Sequence, residues 1–175
     1  GGRGGFGGGG PGGGSGRIQF ALYHTWHFTD RVEIAPGVPV IDLLNGGAIG
    51  SGGQSRHEVE AQAGYSNNGL GARLSVNWQS GTRVVGGTAA APTTLNFSSL
   101  ATANLRLFFD PSSRLDFIAK HKWAVGMRFV ASVDNLFDSR QRVRDAAGGT
   151  PVSYQPDYLD PLGRTVRVGI RKLFF

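Results

Sequence analysis

The chain has 175 residues, 39% of them hydrophobic, with 18 basic against 12 acidic residues and a net charge of +6. Nowhere does it hold the ~20 consecutive apolar residues of a membrane helix, which excludes a helical membrane protein but not a β-barrel, whose strands need only ~9 to 11 residues. It has no cysteine, so a disulfide framework and a thiolate metal site are both excluded.

Residues 1 to 16 are glycine at twelve positions, and the chain opens on Gly1 rather than methionine. Glycine brings no side chain to bury and loses the most backbone entropy on ordering, so this tract reads as a flexible linker or a turn. The expectation is a piece of something longer, with residues 17 to 175 as its folded part. No charged-then-apolar leader is visible at the start.

From Arg17 the pattern alternates. Ile18, Phe20, Leu22, His24, Trp26 and Phe28 share one face of a strand of about a dozen residues, long by the ~5 to 6 usual in soluble sheets. Residues 56 to 65 and 70 to 79 form the clearest hairpin, with Val59, Ala61, Ala63 and Tyr65 facing the same way as Leu70, Ala72, Leu74, Val76 and Trp78. Between them Asn67-Asn68-Gly69 is a tight turn, because Asn and Gly tolerate positive φ. On the polar faces, Glu58, Glu60 and Arg73 are placed to pair across strands.

A fourth strand covers 101 to 109 and ends at Asp110-Pro111, and a fifth covers 127 to 134. The last, 163 to 175, sets Val166, Val168, Ile170, Lys172 and Phe174 against Thr165, Arg167, Gly169 and Arg171, and stops on an aromatic pair. Connections at 29 to 55, 80 to 99 and 138 to 162 are long; 67 to 69 is tight, and 110 to 125 intermediate. Long loops on one rim and short turns on the other, with aromatics toward strand ends, are the pattern of a barrel in lipid. A soluble sheet has the same period with its apolar face inward, so alternation alone leaves both open.

Catalytic chemistry has no support: Gly14-Ser15-Gly16 and Gly50-Ser51-Gly52 are loop sequences, and the glycine tract lacks the Lys-Ser/Thr ending of a phosphate loop. No metal site or cofactor is expected. His24 and His27, three apart in a strand, face opposite sides, and His57 and His121 have no partner at ligand spacing. Gly2-Arg3-Gly4-Gly5-Phe6 resembles the arginine-glycine repeats of RNA-binding tails, with too few arginines and aromatics to supply much affinity.

The run Val133-Asp-Asn-Leu-Phe-Asp138, a loop of about two dozen residues, then Tyr158-Leu-Asp-Pro-Leu-Gly-Arg164 entering a strand that ends in Phe, resembles the C-terminal end of TonB-dependent outer-membrane receptors. The resemblance implies an all-β fold: about six antiparallel, up-and-down strands of a 22-stranded transmembrane barrel, without its plug domain. It implies outer-membrane localisation and energised uptake of a scarce ligand such as an iron chelate, cobalamin or an oligosaccharide, with no enzymatic reaction. Implied partners are outer-membrane lipid and lipopolysaccharide, the barrel assembly machinery through Phe174 and Phe175, TonB through segments not in this chain, and the imported small molecule. Nucleic acid is not among them. The tight turn falls on the periplasmic side and the three long loops outside, where Arg142, Arg144, Tyr154 and Tyr158 are the candidates for ligand contact. Two other readings stay open: a soluble all-β binding module, and an RNA-binding protein with a Gly/Arg-rich tail.

Overall fold

The computed structural model describes residues 16–50, 52–88 and 91–174, so the tract at 1 to 15, Ser51, Ala89, Ala90 and Phe175 lie outside the described residues. In chain order the strands are β1 (Arg17–Trp26), β2 (Arg31–Val32), β3 (Ile41–Asp42), β4 (His57–Asn67), β5 (Leu70–Gln79), β6 (Thr82–Thr88), β7 (Ala91–Phe97), β8 (Leu100–Phe109), β9 (Met127–Asp134), β10 (Val143–Asp145) and β11 (Thr165–Lys172). Two short helices interrupt them, α1 (Leu115–Lys120) and α2 (Pro156–Leu159).

Six long strands form one antiparallel meander in the order β1-β4-β5-β8-β9-β11, each paired with its neighbour along this series. Its register keeps the apolar alternation continuous across the whole sheet. One level runs Phe20↔Ala63↔Leu74↔Leu105↔Val133↔Val166, and the level below it runs Ile18↔Tyr65↔Ala72↔Leu107↔Ala131↔Val168. Because the side-chain period is two, a slip of one residue in any pair would break this face.

Among the described residues, no second layer covers the apolar face of this sheet. Ile18, Phe20, Val166, Val168 and Ile170 are all more than 60% exposed, and the buried apolar side chains among the described residues are Ala103, Pro111, Ala124 and Val143. The sheet is open, with β1 and β11 as its edges.

One end of the meander is tight. Asn68 (φ 44°) and Gly69 (φ 76°) are both left-handed, the geometry that matches the twist of a two-residue hairpin. The connection at 110 to 126 lies at this same end and is folded. Asp110 N–H donates to the Gly69 carbonyl (2.7 Å), Arg114 Nε donates to that of Asn68 (3.2 Å), and Phe117 of α1 packs edge-on against Phe109 (6.1 Å).

The opposite end carries the long connections, which the alternation pattern treated as loops. The stretch from 80 to 99 is instead the hairpin β6–β7, and β10 adds to it as a third strand. Val143 of β10 is fully buried there, opposite Phe97. Within 29 to 55, β2 and β3 pair, and Val85 N–H donates to the Gly46 carbonyl (2.8 Å), tying that connection to β6. The first strand ends at Trp26, two residues short of the expected Phe28, although Phe28 still stacks on Trp26 at 4.5 Å.

Candidate functional site

On the polar face, at the end with the long connections, two adjoining cavities of about 190 and 290 Å³ share Glu58 and Gln79. The first is made by strand register alone. Thr25↔Glu58↔Gln79 form one level, and Tyr23↔Glu60↔Asn77↔Thr102 form the next, so each side chain stands on the polar side because its neighbours along the strand stand on the other.

The second cavity is made by hydrogen-bonded connections. Gln54 Nε2 donates to Glu58 Oε1 (3.0 Å), Ser55 Oγ to the Ser80 carbonyl (2.9 Å), and His57 N–H to Ser80 Oγ (3.1 Å). Across the cavity, Gln141 Nε2 donates to the Ser98 carbonyl (2.6 Å), which docks the segment before β10 against the end of β7. Ser55 is buried, so its bond to Ser80 satisfies a group that would otherwise be costly to bury.

The lining of the joined cleft is mostly amides, hydroxyls and two carboxylates, with Tyr23 and Phe97 as aromatic surfaces beside Leu100 and Leu159, and no arginine or lysine. Such a set offers many neutral donors and acceptors beside flat apolar area. It suits an uncharged polyhydroxylated or amide-bearing ligand and disfavours an anion, since Glu58 and Glu60 face the same space.

Arginines lie further down the same face. Arg73 stands opposite Arg106, and Ser132 carries that level on to Arg167, which pairs with Asp134. The register sets Glu60 opposite Asn77 and Arg73 opposite Gly64, so the glutamates and Arg73 of the first hairpin occupy different levels instead of facing one another. The polar face is thus acidic near the long connections and basic toward the tight turn.

The four loop candidates do not converge on the cleft. Arg144 Nη1 donates to the Gly148 carbonyl (2.7 Å) and closes the turn after β10, while the Tyr154 ring packs edge-on against Phe97 at 5.6 Å. Arg142 is exposed and meets Ser98 through its backbone, and Tyr158 is exposed as well. Phe174 is exposed, its ring 5.5 Å from Lys172 Nζ. The missed residues are Gln54, Gln79 and Gln141 from three separate connections or strand ends, which only the strand register and the β6–β7–β10 sheet bring together.

Pairing of β1 with β4 also brings His24 Nε2 within 3.3 Å of His57 Nδ1, with the two rings stacked at 5.4 Å, a juxtaposition that sequence spacing hides. Among the described residues no group of three or more His, Cys, Asp or Glu side chains is placed to hold a metal ion. His27 lies on the other side, its Nε2 3.7 Å from Glu58. No family model matches this chain, and no curated protein or solved structure does either.

Proposed function

We propose that this chain forms part of the barrel wall of a TonB-dependent outer-membrane receptor, with the polar cleft facing the imported ligand, and that this ligand is of the oligosaccharide class. The supporting observation is the uncovered sheet. Six strands carry a continuous apolar face whose large side chains stay exposed, whereas a water-soluble sheet must bury such a face against a second layer. In a bilayer, lipid covers that face, and further strands close the open edges that lipid does not tolerate.

In this reading the β6–β7–β10 sheet lies outside the cell and the Asn68-Gly69 turn lies in the periplasm. The transport step is energised through TonB, and Phe174 and Phe175 are the aromatic positions offered to the barrel assembly machinery. The cleft supplies hydrogen bonds and aromatic surface to sugar hydroxyls; it performs no covalent chemistry.

Nitroxide labels placed one at a time at positions 166 to 171 of the full-length gene product, in outer-membrane preparations, test the wall. Oxygen accessibility is expected to peak at 166, 168 and 170, with accessibility to a water-soluble relaxation agent peaking at 167, 169 and 171. A uniform profile, or a protein that stays monomeric and melts cooperatively without detergent, would favour the soluble binding module instead.

A further inference from the structure

The end of the apolar face nearest the tight turn carries a second surface. An apolar groove of about 380 Å³ runs there between Tyr65, Leu70, Leu107, Phe109 and Phe129. It ends at cations: the Arg114 guanidinium lies 5.5 Å over the Phe109 ring that lines the groove. Lys172 Nζ donates to the Trp123 carbonyl at 3.0 Å, on the segment that leads out of α1.

Of the chain's three lysines, Lys120 and Lys122 lie in the connection between β8 and β9 and Lys172 ends β11, all at this end of the sheet. Lys120 and Lys122 are exposed, beside exposed Leu115 and Trp123. The acidic groups nearby are Asp116 on α1 and Asp110. Asp110 is already engaged, with Arg128 at 3.3 Å and with the Ser112 N–H at 3.1 Å. Cations above exposed aromatics and a groove of apolar side chains match one molecular shape, an amphiphile with an anionic head.

We propose that this rim binds an anionic phospholipid. Its headgroup phosphate is held by Lys120, Lys122, Lys172 and Arg114, and an acyl chain lies in the groove past Phe109. The proposal rests on the barrel-wall reading, because only a sheet facing lipid presents this groove to an acyl chain. It also gives the folded connection at 110 to 126 a role that a short turn could not fill: the segment, clamped on the hairpin by Arg114, carries Lys120 and Lys122 out to headgroup depth.

Native mass spectrometry of the full-length gene product, purified in neutral detergent and mixed with equal amounts of phosphatidylglycerol and phosphatidylcholine, tests it. The wild type is expected to retain phosphatidylglycerol preferentially, and K120Q/K122Q/K172Q to lower that retention by about fivefold for each lysine removed. The triple Lys→Arg variant keeps the preference, and R164Q, at the other end of the sheet, leaves it unchanged. Inorganic phosphate should not displace the lipid, since the acyl chain carries part of the affinity. Equal retention of both lipids by the wild type, an unchanged triple Lys→Gln variant, or displacement by phosphate alone would overturn the lipid site. A protein that needs no detergent and retains neither lipid would instead overturn the barrel wall beneath it.

Discussion

Asn135 shows how much one side chain does in this fold. It holds a left-handed backbone (φ 52°) and is buried, with its side-chain amide donating to the Ser139 carbonyl and accepting from the Ser139 N–H, both at 2.8 Å. Its own N–H donates to Asn104 Oδ1 at 2.9 Å, which ties the end of β9 to β8. Asn135→Ala loses the amide's bonds and strains the backbone, so a loss of about 2 to 3 kcal/mol is expected in urea unfolding in detergent, against about 1 for Asn104→Ala. Asp42 gives a pH-dependent case. The Asn45 amide (2.9 Å), then the Leu44 N–H (3.2 Å) and the Arg31 guanidinium (3.4 Å), hold its carboxyl below the usual carboxylate range. A lowered folded value contributes stability above the unfolded value and loses it as pH falls through the folded one. The protection of the Leu44 amide, its exchange measured against the intrinsic rate at the same pH, should therefore fall on acidification below about pH 4, and Asp42→Asn should already show the lower protection at neutral pH and lose that dependence.

Between residue and sheet, the legible elements are those whose period survives in one dimension. The runs 70 to 79 and 127 to 134 match β5 and β9 residue for residue, because each alternates cleanly and is bounded by turn residues. The Asn-Leu-Phe-Asp run and the later Gly-Arg meet in space: Arg164 N–H donates to Asp138 Oδ1 at 3.0 Å, a latch between the end of β9 and the start of β11 that spacing could not reveal. The β6–β7 hairpin was hidden by Gly86-Gly87 and Pro92, which read as loop, and is held by pairing with β10, a partner distant in sequence. The cleft was hidden for the same reason, since its glutamines come from separate connections. Two variants address elements. Gly69→Ala, which must keep a left-handed φ while its Cβ meets the Asp110 carbonyl, is expected to lose at least 1 to 2 kcal/mol, roughly, in the same unfolding assay. Deleting 82 to 97 should leave the long-strand sheet folded, because the two sheets are separate and the ends to be joined lie close, a Cβ at Gly81 falling 3.3 Å from Ser99 N and 3.4 Å from Ser98 C. If the cleft takes an oligosaccharide as proposed, the same deletion should abolish that binding, read by isothermal titration, since Thr82 and Phe97 line the cleft.

For the whole molecule, the decisive property is which side of the meander meets water, and two neighbouring residues of β11 separate the possibilities. Val168 stands on the apolar face opposite Ala131 and is 78% exposed, while Gly169 stands on the polar face with nothing within 4 Å of where a Cβ would sit. Arginine fits sterically at either position. If lipid covers the apolar face, Val168→Arg places a charge near mid-bilayer and costs about 2 to 4 kcal/mol, whereas Gly169→Arg joins a face that already carries Arg167 and Arg171 and costs little. If water covers both faces, neither variant changes stability by more than about 0.5 kcal/mol. Unfolding free energies of the two variants in lipid vesicles, measured beside the wild type, therefore report the environment of the sheet without any ligand. A large loss at 168 together with a small one at 169 is the outcome expected here; equal effects at both positions would remove the barrel wall from consideration.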